Sequence, residues 1–237
     1  MSISFLKTAD GSDSLHRDDM GEGYHSTQGA VSEAMHVYIR PNLLERIAFD
    51  HASSLHVFEM GFGTGLNALL TLLTAEKEGI DVCFTSVEMY PLSEDIYSAL
   101  NYAECCCVIG GFQEYAAKSS EWFCALHEAK WSELCRITPH FSIKKIQGDI
   151  STLDFSSSSF DCVYYDAFAP QFQPNLWTAE LFERLFEAMR NVSILTTYCC
   201  KGDVKRALKT AGFQIEKIPG FANKREMLRA KKVWFKL

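Results

Sequence analysis

Short apolar runs alternate with amphipathic stretches through most of the chain. SLHVFEM (54–60), DVCFTSVEM (81–89), FSIKKIQGD (141–149), FDCVYYDAF (160–168) and VSILTTYCC (192–200) are rich in β-branched and aromatic residues and are predicted as strands. Between them LNALLTLLTAEKEG (66–79), SEDIYSALNYA (93–103), TAELFERLFEAMRN (178–191) and KGDVKRALKTAG (201–212) space their apolar positions as helices do. Thr178, with Glu180 and Glu183 behind it, marks one helix start, and Gly212 marks a helix end. FQIEKIPG (213–220) and KVWFKL (232–237) are predicted as two final strands flanking a basic loop. Upstream, VSEAMHVYIRPNLLERI (31–47) has helical spacing with a break expected at Pro41. The residues before it are polar and turn-rich, and 1–48 reads as an N-terminal flap and helix. Residues 110–140 are helical in character, with Trp122 and Trp131, and read as a helical insertion. Repeated strand-helix-strand units imply a parallel sheet with helices on both faces, and the loop-linked last strands imply an antiparallel edge. The expectation is a single α/β domain over 1–237 built on a seven-stranded, mainly parallel sheet.

Candidate chemistry sits at the carboxyl ends of these strands. FEMGFGTGLN (58–67) is a strand, a glycine turn and a helix start. Dinucleotide folds expect G-x-G-x-x-G, but the glycines here are Gly61, Gly63 and Gly65, and Leu66 stands at the third site. Glu59, just before the turn, would repel a pyrophosphate and suits the charged amino-acid end of S-adenosylmethionine. Glu88 ends the next strand, where a carboxylate accepts hydrogen bonds from ribose hydroxyls. Asp149 in QGDI ends the one after, placed to accept from an adenine amino group. Each acid alone is equally a helix cap; three in order form a crevice. Together with the antiparallel edge they fit a class I S-adenosylmethionine-dependent methyltransferase, a Rossmann-like α/β fold, better than a dinucleotide-binding sheet.

Asp166 ends the fourth strand, facing the place where such a cofactor carries its methyl group. DAFAP is a variant of the turn that amino-methylating enzymes place here. Methylating an amine needs an unprotonated nitrogen, in-line geometry and exclusion of water. Asp166 is the candidate to accept a proton or hydrogen bond from that amine, Phe168 to wall the pocket, and Pro170 and Pro174 to stiffen the loop. The competing reading is that Asp166 only caps the next turn.

Composition narrows the class. Net charge is −7, against general nucleic-acid binding, but it is uneven: residues 199–237 carry +8 and the first 198 carry −15. An acidic body with a basic end suits a polyanion held by one edge, or simply a solvated basic helix and strand. The nine cysteines form no C-x-x-C pair and suggest neither a metal site nor a disulfide framework. No secretory signal or membrane-spanning run is evident, so a soluble cytoplasmic protein is expected, with no membrane association.

FGTGLN (62–67), DAFAPQFQPNLWTAELF (166–182) and GFANKREMLRA (220–230), with DGSDSLH (10–16) and YHSTQGAVSEAMHVYI (24–39), resemble the MnmC/MnmD family of tRNA methyltransferases, in its standalone MnmD-type form. The resemblance covers nearly the whole chain. It implies methylation of the primary amine of 5-aminomethyl(-2-thio)uridine at the tRNA wobble position, with S-adenosyl-L-methionine as donor. Carried over by position, Glu59, Gly61, Gly63, Asn67, Glu88 and Asp149 would hold the cofactor and Asp166 would act on the amine. The flap, with Tyr24, His25 and Glu33, would close over the site beside Phe168, and Lys224 and Arg225 would face the tRNA anticodon arm. The family's bifunctional members add an FAD-dependent oxidase, for which 237 residues leave no room, so no flavin is expected. A GG turn is expected before the fifth strand, where this chain has NVSILTTY. Three alternatives stay open: methylation of a small amine or protein amine, a non-catalytic tRNA-binding scaffold, and an NAD oxidoreductase, which Leu66 and Glu59 oppose.

Overall fold

The computed structural model describes residues 2–155 and 160–233. The chain opens with an antiparallel meander, β1 (Ile3–Lys7), β2 (Asp13–Arg17) and β3 (Glu22–Gly23), so the polar flap is itself a small sheet. A continuous helical segment follows, made of α1 (Ala30–Ala34), a π-helical stretch (Met35–Leu44) and α2 (Glu45–Asp50). The expected break at Pro41 is absent. The wider π register accommodates the ring and skips the missing N–H, so the helix continues through the proline.

The main body runs β4 (Ser54–Met60), α3 (Leu66–Glu78), β5 (Asp81–Glu88), α4 (Glu94–Tyr97), α5 (Tyr102–Gly110), α6 (Ala116–Glu128), β6 (Leu134–Thr138), β7 (Phe141–Gln147), β8 (Phe160–Tyr165), α7 (Ala179–Ala188), β9 (Met189–Thr197), α8 (Gly202–Thr210), β10 (Gln214–Pro219) and β11 (Glu226–Lys232). Among the described residues the sheet has eight strands in the order β10-β11-β9-β8-β4-β5-β7-β6. Its centre, β7-β5-β4-β8-β9, is parallel, and both edges are antiparallel. The strand beyond the expected seven is β6, at the end of the stretch read as helical. The helix expected over 93–103 is interrupted: α4 is one short turn and α5 begins at Tyr102. The last strand is β11, within the loop expected to be basic, because Met227, Leu228 and Ala230 face the core; residues 234–237 of the predicted KVWFKL strand lie outside the described residues. Where a GG turn was expected, Val192 takes a left-handed φ of 62° at a register shift between β8 and β9.

All six residues of β8 are buried, as a central parallel strand requires. One apolar core lies on the side of α1, α3, α5 and α6, and a second on the side of α7 and α8. Chain order reverses at β4, with β5 on one side and β8 on the other, so their carboxyl ends open a crevice. Among the described residues no helix is long and apolar enough to cross a membrane.

The entry end of β8 is anchored by a buried acid. Asp161 is 2% exposed; its Oδ2 accepts from His56 N–H at 2.8 Å and from Arg190 at 3.1 Å, and Arg46 lies 3.6 Å from Oδ1. It ties β4, β8, α2 and β9 together. Asp161→Ala is expected to lower stability by about 3 kcal/mol, as losing one member of a buried ionic cluster does. Urea denaturation checks this, and a change below about 1 kcal/mol would refute the anchoring role.

Candidate functional site

Three glycines shape the turn between β4 and α3. Gly61 and Gly63 have φ of 89° and 50°, conformations costly for any residue with a Cβ. A Cβ on Gly61 would lie 3.3 Å from the Asp166 carbonyl oxygen, and one on Gly63 would lie 3.4 Å from the Tyr24 ring. The turn is therefore pressed between the end of β8 and the flap. Beside it lies a cavity of about 400 Å³. The cavity runs from Glu88 and Asp149 at one end to Asp166, Phe168, Tyr198 and Lys224 at the other.

At the first end, both oxygens of Glu88 are fixed by backbone N–H groups, Gly63 at 3.0 Å and Tyr90 at 2.8 Å. Asp149 caps a short 3₁₀ turn through Ser151 N–H at 2.8 Å. The carboxylates are held in place with lone pairs remaining for hydroxyl and amino donors.

At the other end, Asp166 Oδ1 accepts from Tyr38 Oη–H at 2.6 Å and Oδ2 from Asn67 Nδ2–H at 2.9 Å. Burial pushes the Asp166 carboxyl up to about 6, Glu33 adds to this, and the bonds from Tyr38 and Asn67 oppose it. Glu59 is 1% exposed and lies behind the cavity wall. It accepts from Ser86 Oγ–H at 2.7 Å, and burial holds it well above the usual carboxylate range while the neighbouring Asn67 opposes that rise. The amide nitrogen of Asn67 is itself given to Asp166. Its Oδ1 is buried without a hydrogen-bond partner among the described residues. Glu59 bears on the cavity through Asn67.

The flap closes the cavity. Tyr24 packs edge-on against Phe168, ring centroids 5.2 Å apart, and burial raises its phenol to about 12. Burial lowers His25 to about 4, so it is neutral beside Ser14 Oγ at 3.0 Å. Glu33 accepts from Ser26 N–H at 2.6 Å and pairs with Lys224 Nζ at 2.9 Å. Lys224 thus lines the cavity although its side chain is 44% exposed, whereas its neighbour Arg225, also exposed, does not line it. The two residues taken together as tRNA contacts point to different places.

Of the lining residues that escaped the sequence reading, four shape the charge and the walls of the site. Arg17 sits 5.9 Å over Phe168 and 6.0 Å over Tyr90, paired with Asp19. Glu22 accepts from Ala169 N–H at 3.3 Å and is raised by burial. Tyr38 lies in an apolar helix, and its partner is 128 residues away, so no local pattern marks it. Tyr198 donates to the Ala167 carbonyl at 2.9 Å, and its position just after β9 was the available signal.

These walls suit S-adenosylmethionine. Glu22, Glu33, Glu88, Asp149 and Asp166 face the cavity, while Arg17 and Lys224 are already paired. That balance repels a pyrophosphate and welcomes a sulfonium and an α-ammonium group. The fixed acceptors Glu88 and Asp149 match a ribose diol and an adenine amine.

The sequence profile of the S-adenosyl-L-methionine-dependent methyltransferase family matches residues 112–233. The tRNA 5-methylaminomethyl-2-thiouridine biosynthesis bifunctional protein MnmC of Pseudomonas syringae pv. syringae (strain B728a) is 30% identical over 218 residues, covering 89% of this chain and 32% of that protein. Its counterpart in Pseudomonas syringae pv. tomato (strain ATCC BAA-871 / DC3000) is 32% identical, with the same coverages of 89% and 32%. The chain therefore spans about a third of the length of these relatives. The crystal structure of MnmC2 from Aquifex aeolicus superposes with a TM-score of 0.73 at 23% identity, covering 97% of this chain and 70% of that one, and shares the fold. The chain belongs to the S-adenosyl-L-methionine-dependent methyltransferase family.

Proposed function

We propose that this protein methylates the primary amine of 5-aminomethyl(-2-thio)uridine at the tRNA wobble position, giving 5-methylaminomethyl(-2-thio)uridine. The observation that carries the reading is Asp166, a carboxylate held by two donors in an aromatic, acidic cavity. The names of the relatives, which specify biosynthesis of 5-methylaminomethyl-2-thiouridine in tRNA, supply the acceptor.

Bound S-adenosylmethionine would supply a methyl group on a cationic sulfur, the amine lone pair forming the N–C bond as the C–S bond breaks and its electrons remain on sulfur. Glu88 would hold the ribose and Asp149 the adenine amine. Gly61 and Gly63 would allow close approach of the backbone, and Asn67, with Glu59 behind it, would steady the amino-acid end. Asp166 accepts a hydrogen bond from the acceptor nitrogen, aims its lone pair, and takes the proton that the product ammonium releases. With its carboxyl at about 6, Asp166 is mostly ionised at neutral pH yet a stronger base than a solvent-exposed aspartate. Phe168 and Tyr198 wall the base, and Tyr24 on the flap excludes water. The exposed Arg225 and its basic surroundings meet the RNA backbone, with the splayed base entering the cavity.

The direct test is methyl transfer from labelled S-adenosylmethionine to tRNA bearing 5-aminomethyluridine, with tRNA lacking the amine as control. Label confined to the first, recovered as 5-methylaminomethyluridine, is expected; label in neither would redirect the search to small or protein amines. Asp166→Ala is expected to lower single-turnover methylation by roughly a hundredfold or more while cofactor affinity stays within a few-fold. Unchanged turnover would remove Asp166 from the chemistry. The Asp166 carboxyl loses its proton as pH rises through about 6, and Tyr38 holds that value down, so Tyr38→Phe should move it upward. A carbon-detected NMR titration of the carboxyl reads this, and an unmoved midpoint would contradict the assigned role of the hydroxyl. Arg225→Ala should weaken tRNA binding and flatten its salt dependence by about one charge. Equal affinity and slope would exclude a phosphate contact there.

A further inference from the structure

The turn joining β10 to β11 delivers one charge inward. A Cβ on Gly220 would lie 2.4 Å from the Lys224 carbonyl oxygen, so the turn has no room for a side chain there. Lys224 N–H donates to Phe221 O at 3.0 Å, and Ala222 takes a left-handed φ of 49°. This backbone fixes where Lys224 starts, and its Nζ ends 2.9 Å from Glu33 Oε1 and 4.6 Å from the Tyr198 ring centre. Both partners are themselves fixed, Glu33 by Ser26 N–H and Tyr198 by the carbonyl of Ala167, the residue after Asp166. The ammonium is a charge held by partners on the rim of the cavity that contains Asp166, with 44% of the side chain still open to solvent.

A fixed ammonium is a notable choice in a pocket whose acceptor is itself an amine. The charged groups around it are Glu22 from β3, Glu33 from α1 and Asp166 after β8, with Lys201 acting on Glu22 from further out. The remaining titratable neighbours are the phenols of Tyr24, Tyr38 and Tyr198, the thiol of Cys199, the neutral His25, and His36, which packs on Phe221 of the same turn with ring centres 5.9 Å apart. Three carboxylates attract an acceptor amine in its protonated form, which has no lone pair to give. A cation among them opposes that protonation, as a neighbouring cation does for activated lysines.

We propose that Lys224 is a charge-setting residue for methyl transfer: its ammonium, pinned by Glu33 above the Tyr198 ring, keeps the acceptor amine neutral and nucleophilic beside Asp166. The inference rests on the proposed amine acceptor and deepens it. Lys224 makes and breaks no bond; the methyl transfer and its proton balance are unchanged. The pairing with Glu33 serves to hold the cation, and removing either partner alters the local charge in opposite directions.

That opposition is the test. Single-turnover methylation of tRNA bearing 5-aminomethyluridine is followed from pH 5 to 10 at saturating S-adenosylmethionine and tRNA. The variants are Lys224→Met, Lys224→Arg and Glu33→Gln. Lys224→Met should move the limb lying above the Asp166 midpoint of about 6, which the carboxyl NMR titration reads separately, up by roughly one pH unit, making the reaction about tenfold slower on its acid side with the high-pH plateau retained. Lys224→Arg should keep the wild-type limb, and Glu33→Gln should move it down. An ion pair that merely ties the flap to the turn is loosened alike by both substitutions, so shifts of one sign, or no shift, overturn the proposal. If Lys224→Met fails to fold, Glu33→Gln still decides: an unmoved or rising limb overturns it. Absence of methylation by the wild-type protein at every pH would instead overturn the proposed acceptor and this inference with it, whereas methylation with unmoved limbs overturns the inference alone.

Discussion

A carboxylate half-buried at the open end of a parallel sheet must be given donors, and the arrangement around Asp166 supplies them. Taking such a group out of water without partners costs several kcal/mol. Here the donors come from elements far apart in sequence: Tyr38 from the helical segment before the sheet and Asn67 from the first turn of α3. Behind Asn67, Glu59 on β4 is held in turn by Ser86 on β5. The arrangement therefore spans β8, β4 and β5 at the height of the crevice. Its rigidity depends on where Tyr38 sits, and Tyr38 is held by Asn42 four residues on, whose amide donates to Val163 O at 2.9 Å and Thr196 Oγ1 at 3.2 Å. Pro41 lies between these two anchors. A helix broken there would release both, which gives the π-helical passage through the proline a role in placing the site.

The same constraint explains the distribution of charge in the cavity. Both cations on its wall are spoken for, Arg17 by Asp19 and Lys224 by Glu33, which leaves acceptors facing inward. An acidic cavity in an acidic body looks mismatched to a polyanionic substrate. It is matched to what the proposed reaction would bring into it: a sulfonium, an α-ammonium group and an amine. The polyanion would have only to lie outside.

The sheet and the cofactor end were legible because they depend on local patterns. A strand that ends in an acid and a turn of alternating glycines leaves a mark within ten residues, and Gly61, Gly63, Glu88 and Asp149 line the crevice the sequence pointed to. Asp166 was legible for the same reason. Its donor Tyr38 and the flap acid Glu22 were not, since each reaches the cavity through tertiary contacts that no periodicity encodes. Two errors in the elements have the same origin: tertiary burial converted the basic stretch around Arg229 into β11, and edge pairing with β7 made a strand of residues 134–138. Lys224 and Arg225 are adjacent and chemically alike, and only the geometry of the Gly220 turn separates an inward charge from an outward one.

That separation bears on how an RNA would be held. The basic end is less available than its count suggests. Arg229 pairs with Glu45 and Glu216, Lys217 with Glu226, and Lys231 with Glu216. Lys232 is buried and donates to the Met189 carbonyl at 2.7 Å. What remains outward among the described residues includes Arg225, Lys209 and Lys201, on the turn, the end of α8 and the residue before it. Few free cations mean few displaced counterions, and the salt dependence of binding scales with that number. In the proposed reaction, recognition of the RNA would then fall mainly on the base in the cavity rather than on its backbone. That reaction, which would have to find one modified nucleotide among many unmodified ones, is well served by such a division: a weak grip outside and a demanding pocket inside.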